Sequence, residues 1–173
     1  MTNLLATLEE AGFKDITLVE EQAIIDGNFP FVPEHKPNPE NPKSNTLVHK
    51  KLLELNGDIA ITTDPDADRI CVSSLEKTGE VRAFNGNESA ILAADFILSK
   101  LAERGELKSG DLIAKSMVTT DALNALANKY GVNIYDDMLV GFKYIGRKIL
   151  GKLQIGERFL MCAEVSFCQL VGD

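Results

Sequence analysis

The stretch Thr62-Thr63-Asp64-Pro65-Asp66-Ala67-Asp68-Arg69 (residues 62–69) decides how this chain folds, because it places an acidic loop between two apolar runs. Ile59-Ala60-Ile61 precedes the loop and Ile70-Cys71-Val72 follows it. Short apolar runs bounded by turn residues are typical of strands, so the loop is predicted to connect two strands. Its alternating carboxylates repel one another unless a cation lies among them. Oxygen ligands of this kind suit Mg²⁺, and the guanidinium of Arg69 suits a phosphate.

Three other interpretations of the acidic loop compete with a magnesium site. An EF-hand loop needs Gly at its sixth position and Glu at its twelfth, and Arg69 and Leu75 hold those positions here. A phosphatase-type loop would make Asp64 a nucleophile; Asp68 is a poor match to the Thr or Val of that motif, but this does not exclude it. A solvated acidic turn is the third interpretation, and three alternating carboxylates followed by an arginine exceed what a turn needs.

The charge of the chain limits its partners. Its 173 residues carry 26 acidic and 18 basic side chains, and the net charge is −8 with histidine neutral. This balance, without a basic stripe, predicts no nucleic-acid partner. Phosphorylated substrates stay compatible with it, because local clusters hold them. No apolar run approaches the roughly 20 residues of a membrane span, and the N-terminus does not resemble a signal peptide.

The cysteines and histidines argue against a disulfide framework and against zinc. Cys71, Cys162 and Cys168 lie in or beside apolar runs, and their number is odd. Reduced, packed thiols in the cytoplasm are therefore predicted. His35 and His49 have no Cys or His neighbour at ligand spacing, which disfavours a zinc site.

The first half of the chain is predicted to hold two helices around a long polar connection. Thr2 caps a first helix that Gly12 ends, and Ile16-Thr17-Leu18-Val19 is predicted to be a short strand. Residues 26–43 hold five of the six prolines. Such a connection is typical of a functional or interdomain surface, with a plain linker as the alternative. Ser44 or Asn45 is predicted to cap a second helix from Thr46 to Leu55.

Beyond the acidic loop, a hairpin and an apolar helix are predicted before a domain boundary. Residues 70–75 and 81–84 form the hairpin, and the helix from Ala90 to about Leu101 is expected to be buried on more than one face. The charged stretch 104–110 contains two glycines and is the predicted boundary.

After the boundary, predicted strands alternate with helices, which indicates α/β architecture. The elements are a strand at 111–118, a helix at 121–130, a strand at 132–135, a helix ending at 149 and a strand at 159–163. This second unit has only about sixty residues and no closing helix, which is small for an independent core. The opening helix is also followed directly by a strand. Both features predict a chain that is truncated at both ends.

Taken in order, these segments resemble the α-D-phosphohexomutases, the relatives of phosphoglucomutase and phosphomannomutase. The acidic loop is similar to the family's magnesium loop in its Asp-Pro-Asp-Ala-Asp-Arg form. Other matching segments are Glu20-Glu21-Gln22, Asn28-Phe29-Pro30-Phe31, Pro37-Asn38-Pro39-Glu40, Gly86-Asn87-Glu88, Lys115-Ser116-Met117-Val118-Thr119-Thr120, Gly141-Phe142-Lys143-Tyr144-Ile145 and Glu164-Val165-Ser166. The resemblance implies three-layer α/β/α units with mixed sheets flanked by helices. Residues 1–107 would be a metal-binding domain, the family's second without its first strand, and residues 108–173 an incomplete third domain that recognises the sugar.

The resemblance also implies a reaction and a set of roles. Such enzymes move a phosphoryl group between the 1- and 6-positions of a hexose phosphate through an enzyme phosphoserine and a bisphosphorylated sugar. Asp64, Asp66 and Asp68 would bind Mg²⁺, the implied cofactor. Arg69 and Lys143 would act at the phosphoryl group. Glu164 and Ser166 would bind sugar hydroxyls.

Two departures from the family pattern shape what we expect of this chain. The family's sugar loop is usually Glu-Glu-Ser or Glu-Met-Ser followed soon by Gly, whereas Val165 and Phe167-Cys168 stand here. The Ser-His-Asn-Pro loop of the first domain and the phosphate-gripping loop of the fourth domain do not occur. We therefore expect a fragment that lacks domains 1 and 4, is inactive alone and binds Mg²⁺ weakly at best. The alternatives are a magnesium-dependent phosphatase with Asp64 as nucleophile and a non-catalytic, metal-stabilised module.

Overall fold

A computed structural model describes residues 2–153 and 157–172, with side chains over residues 4–151 and 157–172. Its contacts divide the chain into two compact units, Met1–Ala83 and Phe84–Asp173. Each unit is built from helices and one sheet. Among the described residues, no helix combines the length and the apolar composition that crossing a membrane requires.

The first unit packs one helix on a three-stranded antiparallel sheet. The elements are α1 (Thr2–Glu10), α2 (Glu20–Ala23), α3 (Thr46–Leu55), β1 (Ile59–Thr63), β2 (Ile70–Leu75) and β3 (Val81–Ala83). Strand order is β1-β2-β3, and helix α3 packs on β1 and β2. The predicted strands on both sides of the acidic loop are confirmed, since β1 and β2 pair directly from Ile59↔Ser74 to Thr63↔Ile70.

The strand predicted at residues 16–19 is wrong. This segment is irregular and leads into the short helix α2. Its β-prone side chains describe only a local preference, and a strand forms where a neighbouring strand accepts its backbone hydrogen bonds. The long connection predicted at residues 26–43 is confirmed as mostly irregular. It contains two single 3₁₀ turns, at Pro33–His35 and Pro42–Asn45.

The second unit is a mixed sheet with helices on both faces. The elements are α4 (Gly86–Glu103), β4 (Asp111–Ser116), α5 (Ala122–Tyr130), β5 (Asn133–Met138), α6 (Phe142–Leu153), β6 (Arg158–Glu164) and β7 (Cys168–Val171). Strand order is β5-β4-β6-β7; β4 is parallel to β5 and β6, and β7 is antiparallel to β6. The predicted mixed α/β class is confirmed, and β7 is an element that the sequence analysis did not predict.

Two apolar clusters pack the helices of the second unit on the two faces of its sheet. One cluster joins α4 and α5 to a face of the sheet that includes Ile113 and Leu160. The other joins α6, through Ile145 and Ile149, to the face that carries Ala114. Both faces of β4 are buried. This explains its apolar segment, because a parallel strand between two helical layers contacts apolar side chains on both sides.

Helix α4 belongs by its contacts to the second unit, where it packs on α5 and β6. Ala90, Ala94 and Leu98 form its buried stripe, whereas Leu92 and Phe96 are 56% and 64% exposed. The expectation that this helix is buried on more than one face is therefore wrong. The contacts divide the chain before α4, whereas the sequence analysis placed a boundary between residues 107 and 108. The charged stretch after α4 turns the chain directly into β4.

An ion pair between the buried Asp111 and the partly exposed Arg158 joins the first residues of β4 and β6. Arg158 donates from Nε to Asp111 Oδ1 over 2.8 Å and from Nη2 to Asp111 Oδ2 over 2.6 Å. The Lys108 N–H also donates to Asp111 Oδ2 over 2.8 Å. Burial raises the pKa of Asp111, but the hydrogen bonds from Arg158 and Lys108 outweigh it and leave that pKa below its ordinary value.

We predict that Asp111→Asn lowers the free energy of unfolding near neutral pH by about 1 to 3 kcal/mol. Because the pKa of Asp111 is lower in the folded state, its contribution is present above the unfolded value of about 4 and is lost as the pH falls through the folded value. Thermal unfolding measured from about pH 7 to about pH 3 should therefore show a weaker pH dependence in Asp111→Asn than in the wild type. Asp137→Asn changes an exposed aspartate and serves as the control. Parallel curves for Asp111→Asn and the wild type would contradict the prediction.

Candidate functional site

The acidic loop connects β1 to β2 and brings its three carboxylates together. Three carboxylate oxygens, one each from Asp64, Asp66 and Asp68, lie within 4.8 Å of one another. The turn is closed by the Ala67 N–H, which donates to the Asp64 carbonyl over 3.2 Å. Ala67 has a φ of +58°, a left-handed conformation that folds the loop back on itself. Three convergent carboxylates form a hard oxygen set that fits a divalent cation such as Mg²⁺.

Asp64 is the inner member of this cluster. Its side chain is 9% exposed, while Asp66 and Asp68 are exposed. Burial and the neighbouring Asp68 carboxylate raise the pKa of Asp64, although the Arg69 N–H and guanidinium act in the opposite direction. A bound cation would stabilise the charged forms of these two neighbouring carboxylates.

Arg69 folds back over the acidic loop. Its N–H donates to Asp64 Oδ1 over 3.2 Å, and its Nε lies 3.6 Å from Asp64 Oδ2 and 3.7 Å from Asp68 Oδ1. Its Nη1 lies 3.4 Å from Asn38 Oδ1 and 3.6 Å from Glu40 Oε1. The Arg69 side chain is 37% exposed, so it is oriented by both segments and still accessible to an anion.

Asn45 joins the proline-rich connection to the hairpin that carries the acidic loop. It is 2% exposed. Its Nδ2 donates to the Pro39 carbonyl over 3.0 Å and lies 3.8 Å from Cys71 Sγ, and its Oδ1 accepts from Thr62 Oγ1 over 2.9 Å. These contacts fix the segment that bears Asn38 and Glu40 against β1 and β2. Sequence analysis treated Asn45 only as a helix cap, since a single asparagine gives no sign of burial.

In the second unit, the candidate residues lie at the carboxyl ends of the parallel strands. In open α/β sheets this edge is where ligands bind. Glu164 ends β6 and is 4% exposed. One of its carboxylate oxygens accepts from the Gly141 N–H, in the loop between β5 and α6. Its orientation is therefore fixed by a neighbouring loop.

Ser166 and Phe167 continue the loop after Glu164. Ser166 is partly exposed. Phe167 has a φ of +65°, the left-handed region that glycine enters most easily. The departure from the family pattern noted at this position therefore leaves a glycine-like backbone with a phenylalanine side chain.

Lys143 lies on the first turn of α6 and is exposed. Its Nζ lies 4.9 Å from the centroid of the Tyr144 ring. Lys143 comes two residues after Gly141, which contacts Glu164. The second unit therefore places Lys143, Glu164 and Ser166 around one end of the sheet. Asp64, Asp66, Asp68 and Arg69 form their cluster in the first unit.

Lys115 is a buried cation that the sequence analysis did not assign a role. It is 2% exposed at the end of β4. Its Nζ donates to the Thr119 carbonyl over 2.8 Å and to Asp121 Oδ1 over 2.9 Å. Lys115 therefore fixes the turn between β4 and α5, and the signal for it is a lysine inside an apolar strand. Of the two threonines in this turn, Thr120 accepts the Ala122 N–H through its Oγ1, whereas Thr119 is buried against Ser116.

Comparison with known proteins places both units in one class of enzymes. Residues 2–77 match the profile for phosphoglucomutase/phosphomannomutase, alpha/beta/alpha domain II, and residues 85–173 match that for domain III. The chain therefore belongs to the phosphoglucomutase/phosphomannomutase family, the α-D-phosphohexomutases, as its sequence predicted.

Individual relatives agree with this assignment. A phosphomannomutase of Mycoplasmoides pirum is 34% identical over 165 residues, which cover 95% of this chain and 28% of that protein. Human glucose 1,6-bisphosphate synthase is 33% identical over 166 residues, which cover 93% of this chain and 26% of that protein. A phosphoglucomutase/phosphomannomutase family protein from Burkholderia thailandensis shares the fold, with a TM-score of 0.63 at 23% identity over 85% of this chain and 28% of that one. The chain thus spans about a quarter of the length of these relatives.

We predict that Asn45→Ala lowers the free energy of unfolding by about 1 to 3 kcal/mol, because it removes the hydrogen-bond partner of the buried Pro39 carbonyl and of the partly buried Thr62 hydroxyl. Asn133→Ala replaces an exposed asparagine and should change stability by less than about 0.5 kcal/mol. Chemical denaturation measures both values. Equal stabilities of the two variants would contradict the role assigned to Asn45.

Proposed function

We propose that this chain supplies the metal-binding and sugar-recognition parts of a phosphohexomutase that acts on a hexose phosphate. The observation that carries the proposal is the acidic cluster of a family domain II, with Arg69 folded over it. Its three carboxylates and one partly exposed guanidinium combine a cation site with an anion site. That combination suits phosphoryl transfer, which depends on positioning and charge neutralisation.

In the first unit, Asp64, Asp66 and Asp68 would hold Mg²⁺. A magnesium ion bound there would supply Lewis-acid polarisation of phosphoryl oxygens. Arg69 presents its guanidinium to the same region, where it would bind a phosphate oxygen pair. Its contacts with Asn38 and Glu40 hold it there before any phosphate arrives, so less side-chain freedom is lost on binding.

In the second unit, Glu164 and Ser166 would bind sugar hydroxyls, and Lys143 would reach the phosphoryl group. The carboxylate of Glu164 is oriented by the Gly141 N–H and retains acceptor capacity for a hydroxyl. Ser166 can donate or accept through its hydroxyl. The exposed ammonium of Lys143 is a mobile positive charge close to the same loops.

The remaining parts of the reaction would come from elsewhere in a full-length enzyme. The family's phosphoserine loop does not occur among the 173 residues, and the curated relatives are several times longer. We therefore propose that the chain as printed turns over no sugar phosphate. A phosphatase with Asp64 as nucleophile is less well supported, since Asp64 is mostly buried and accepts the Arg69 N–H. We also propose a cytoplasmic location, because Cys71, Cys162 and Cys168 are all buried thiols.

We predict weak Mg²⁺ binding at the acidic loop that Asp66→Asn reduces by about tenfold or more, because it removes one of three charged ligands. Asp66 is exposed, so its replacement should leave the fold intact. Amide NMR signals of Asp64 and of residues 66–69, followed during a Mg²⁺ titration, measure the affinity.

Asp137→Asn makes the same charge change at an exposed site on β5 and should leave Mg²⁺ binding unaltered. An Asp66→Asn variant with wild-type affinity would rule out this cation site. Tight, stoichiometric Mg²⁺ binding in calorimetry would contradict the expectation that this chain alone binds the ion weakly.

A further inference from the structure

The first turn of α4 lies directly against the loop that follows β6. Gly86 is buried there. A Cβ added to Gly86 would lie 2.1 Å from the Val165 carbonyl oxygen, 2.9 Å from the Val165 carbonyl carbon and 3.0 Å from the Phe167 amide nitrogen. All three are backbone atoms, so no side-chain rotation could relieve the overlap. Any residue larger than glycine at this position must displace the 164–167 loop or the turn.

The next residue of the same turn contacts the loop that follows β4. Asn87 Oδ1 accepts from the Thr120 N–H over 3.0 Å. Thr120 in turn accepts the Ala122 N–H at the start of α5. Adjacent residues of one helical turn therefore hold two of the three loops at the carboxyl edge of the sheet.

The turn itself is well fixed. Asn85 Oδ1 accepts from the Glu88 N–H, and a Glu88 carboxylate oxygen accepts from the Asn85 N–H, each over 3.0 Å. This reciprocal capping box satisfies both backbone donors at the helix start. Ala90, Ala94 and Leu98, the buried stripe of α4, anchor the helix in the core. The loops are thus the parts that adjust to the turn.

We propose that Gly86 and Asn87 are positioning residues that set the backbone of the 164–167 loop and of the turn from Met117 to Asp121. Gly86 fixes the approach of Val165, and thereby where Glu164 and Ser166 stand. Asn87 fixes Thr120. The expected consequence, that the first turn of α4 controls how these loops bind a hexose phosphate, rests on the proposed function.

The test compares Gly86→Ala with Gly146→Ala in the complete 173-residue chain. Gly146 lies in α6 with open space around its missing Cβ, so the control makes the same chemical change in a helix without a clash. In the absence of sugar, Gly86→Ala should shift the amide NMR signals of residues 165–167, and Gly146→Ala should leave them in place. Titration with glucose 1-phosphate and with mannose 1-phosphate should then give a changed ratio of affinities in Gly86→Ala alone. A role in stability only would lower the melting temperature without moving that ratio.

A second pair of variants covers the case in which Gly86→Ala does not fold. Asn87→Ala removes the acceptor for the Thr120 N–H and should accelerate hydrogen exchange of that amide about fivefold, whereas Asn87→Asp retains an acceptor oxygen and should not. Unchanged Thr120 exchange in Asn87→Ala overturns the proposal for Asn87. A folded Gly86→Ala with wild-type loop signals and wild-type sugar affinities overturns it for Gly86. If neither sugar phosphate changes the NMR signals of the wild-type chain, the proposed sugar-binding function of this loop is wrong. The amide signals recorded without sugar still decide whether the first turn of α4 positions the 164–167 loop.

Discussion

The hydrogen bond from the Arg69 N–H to the Asp64 carboxylate closes the acidic loop, and the candidate active site depends on it. It holds the inner carboxylate beside two exposed ones and directs the arginine side chain back over them. The cost is electrostatic, since three carboxylates converge at the tip of one hairpin. The guanidinium offsets part of that repulsion, and a divalent cation would offset the rest. The surrounding structure stabilises this arrangement through Asn45, which joins the proline-rich connection to β1 and β2.

The second unit solves a different problem, which is to hold irregular loops in defined places. Each loop at the carboxyl edge of its sheet has an anchor outside its own backbone. Lys115 holds the turn after β4, the Glu164 carboxylate holds Gly141, and Gly86 limits the position of Val165. Loops fixed in this way lose little conformational freedom when a ligand binds, which favours affinity. Phe167 adopts a left-handed backbone in this loop although it carries a side chain.

Much of this fold could be predicted from the sequence, because local signals and tertiary structure agree. The hairpin around the acidic loop, the helices at 46–55 and 122–130 and the strands β4 and β6 all follow from apolar periodicity and turn residues. The predicted strand at 16–19 fails because a strand needs a neighbouring strand that local sequence cannot show. β7 was missed because its four residues lack a periodic pattern long enough to detect. The acidic cluster and its arginine were visible as a motif, whereas Asn45, Gly86 and Lys115 act through contacts that exist only once the chain has folded.

The central claim is that this chain can perform the domain II and domain III roles of a phosphohexomutase. The most direct test replaces the matching segment of the Mycoplasmoides pirum phosphomannomutase with this chain and measures conversion of mannose 1-phosphate to mannose 6-phosphate. We expect the chimera to show magnesium-dependent turnover that Asp66→Asn abolishes and Asp137→Asn preserves. A folded chimera without turnover, or one whose turnover is indifferent to Asp66→Asn, would contradict it.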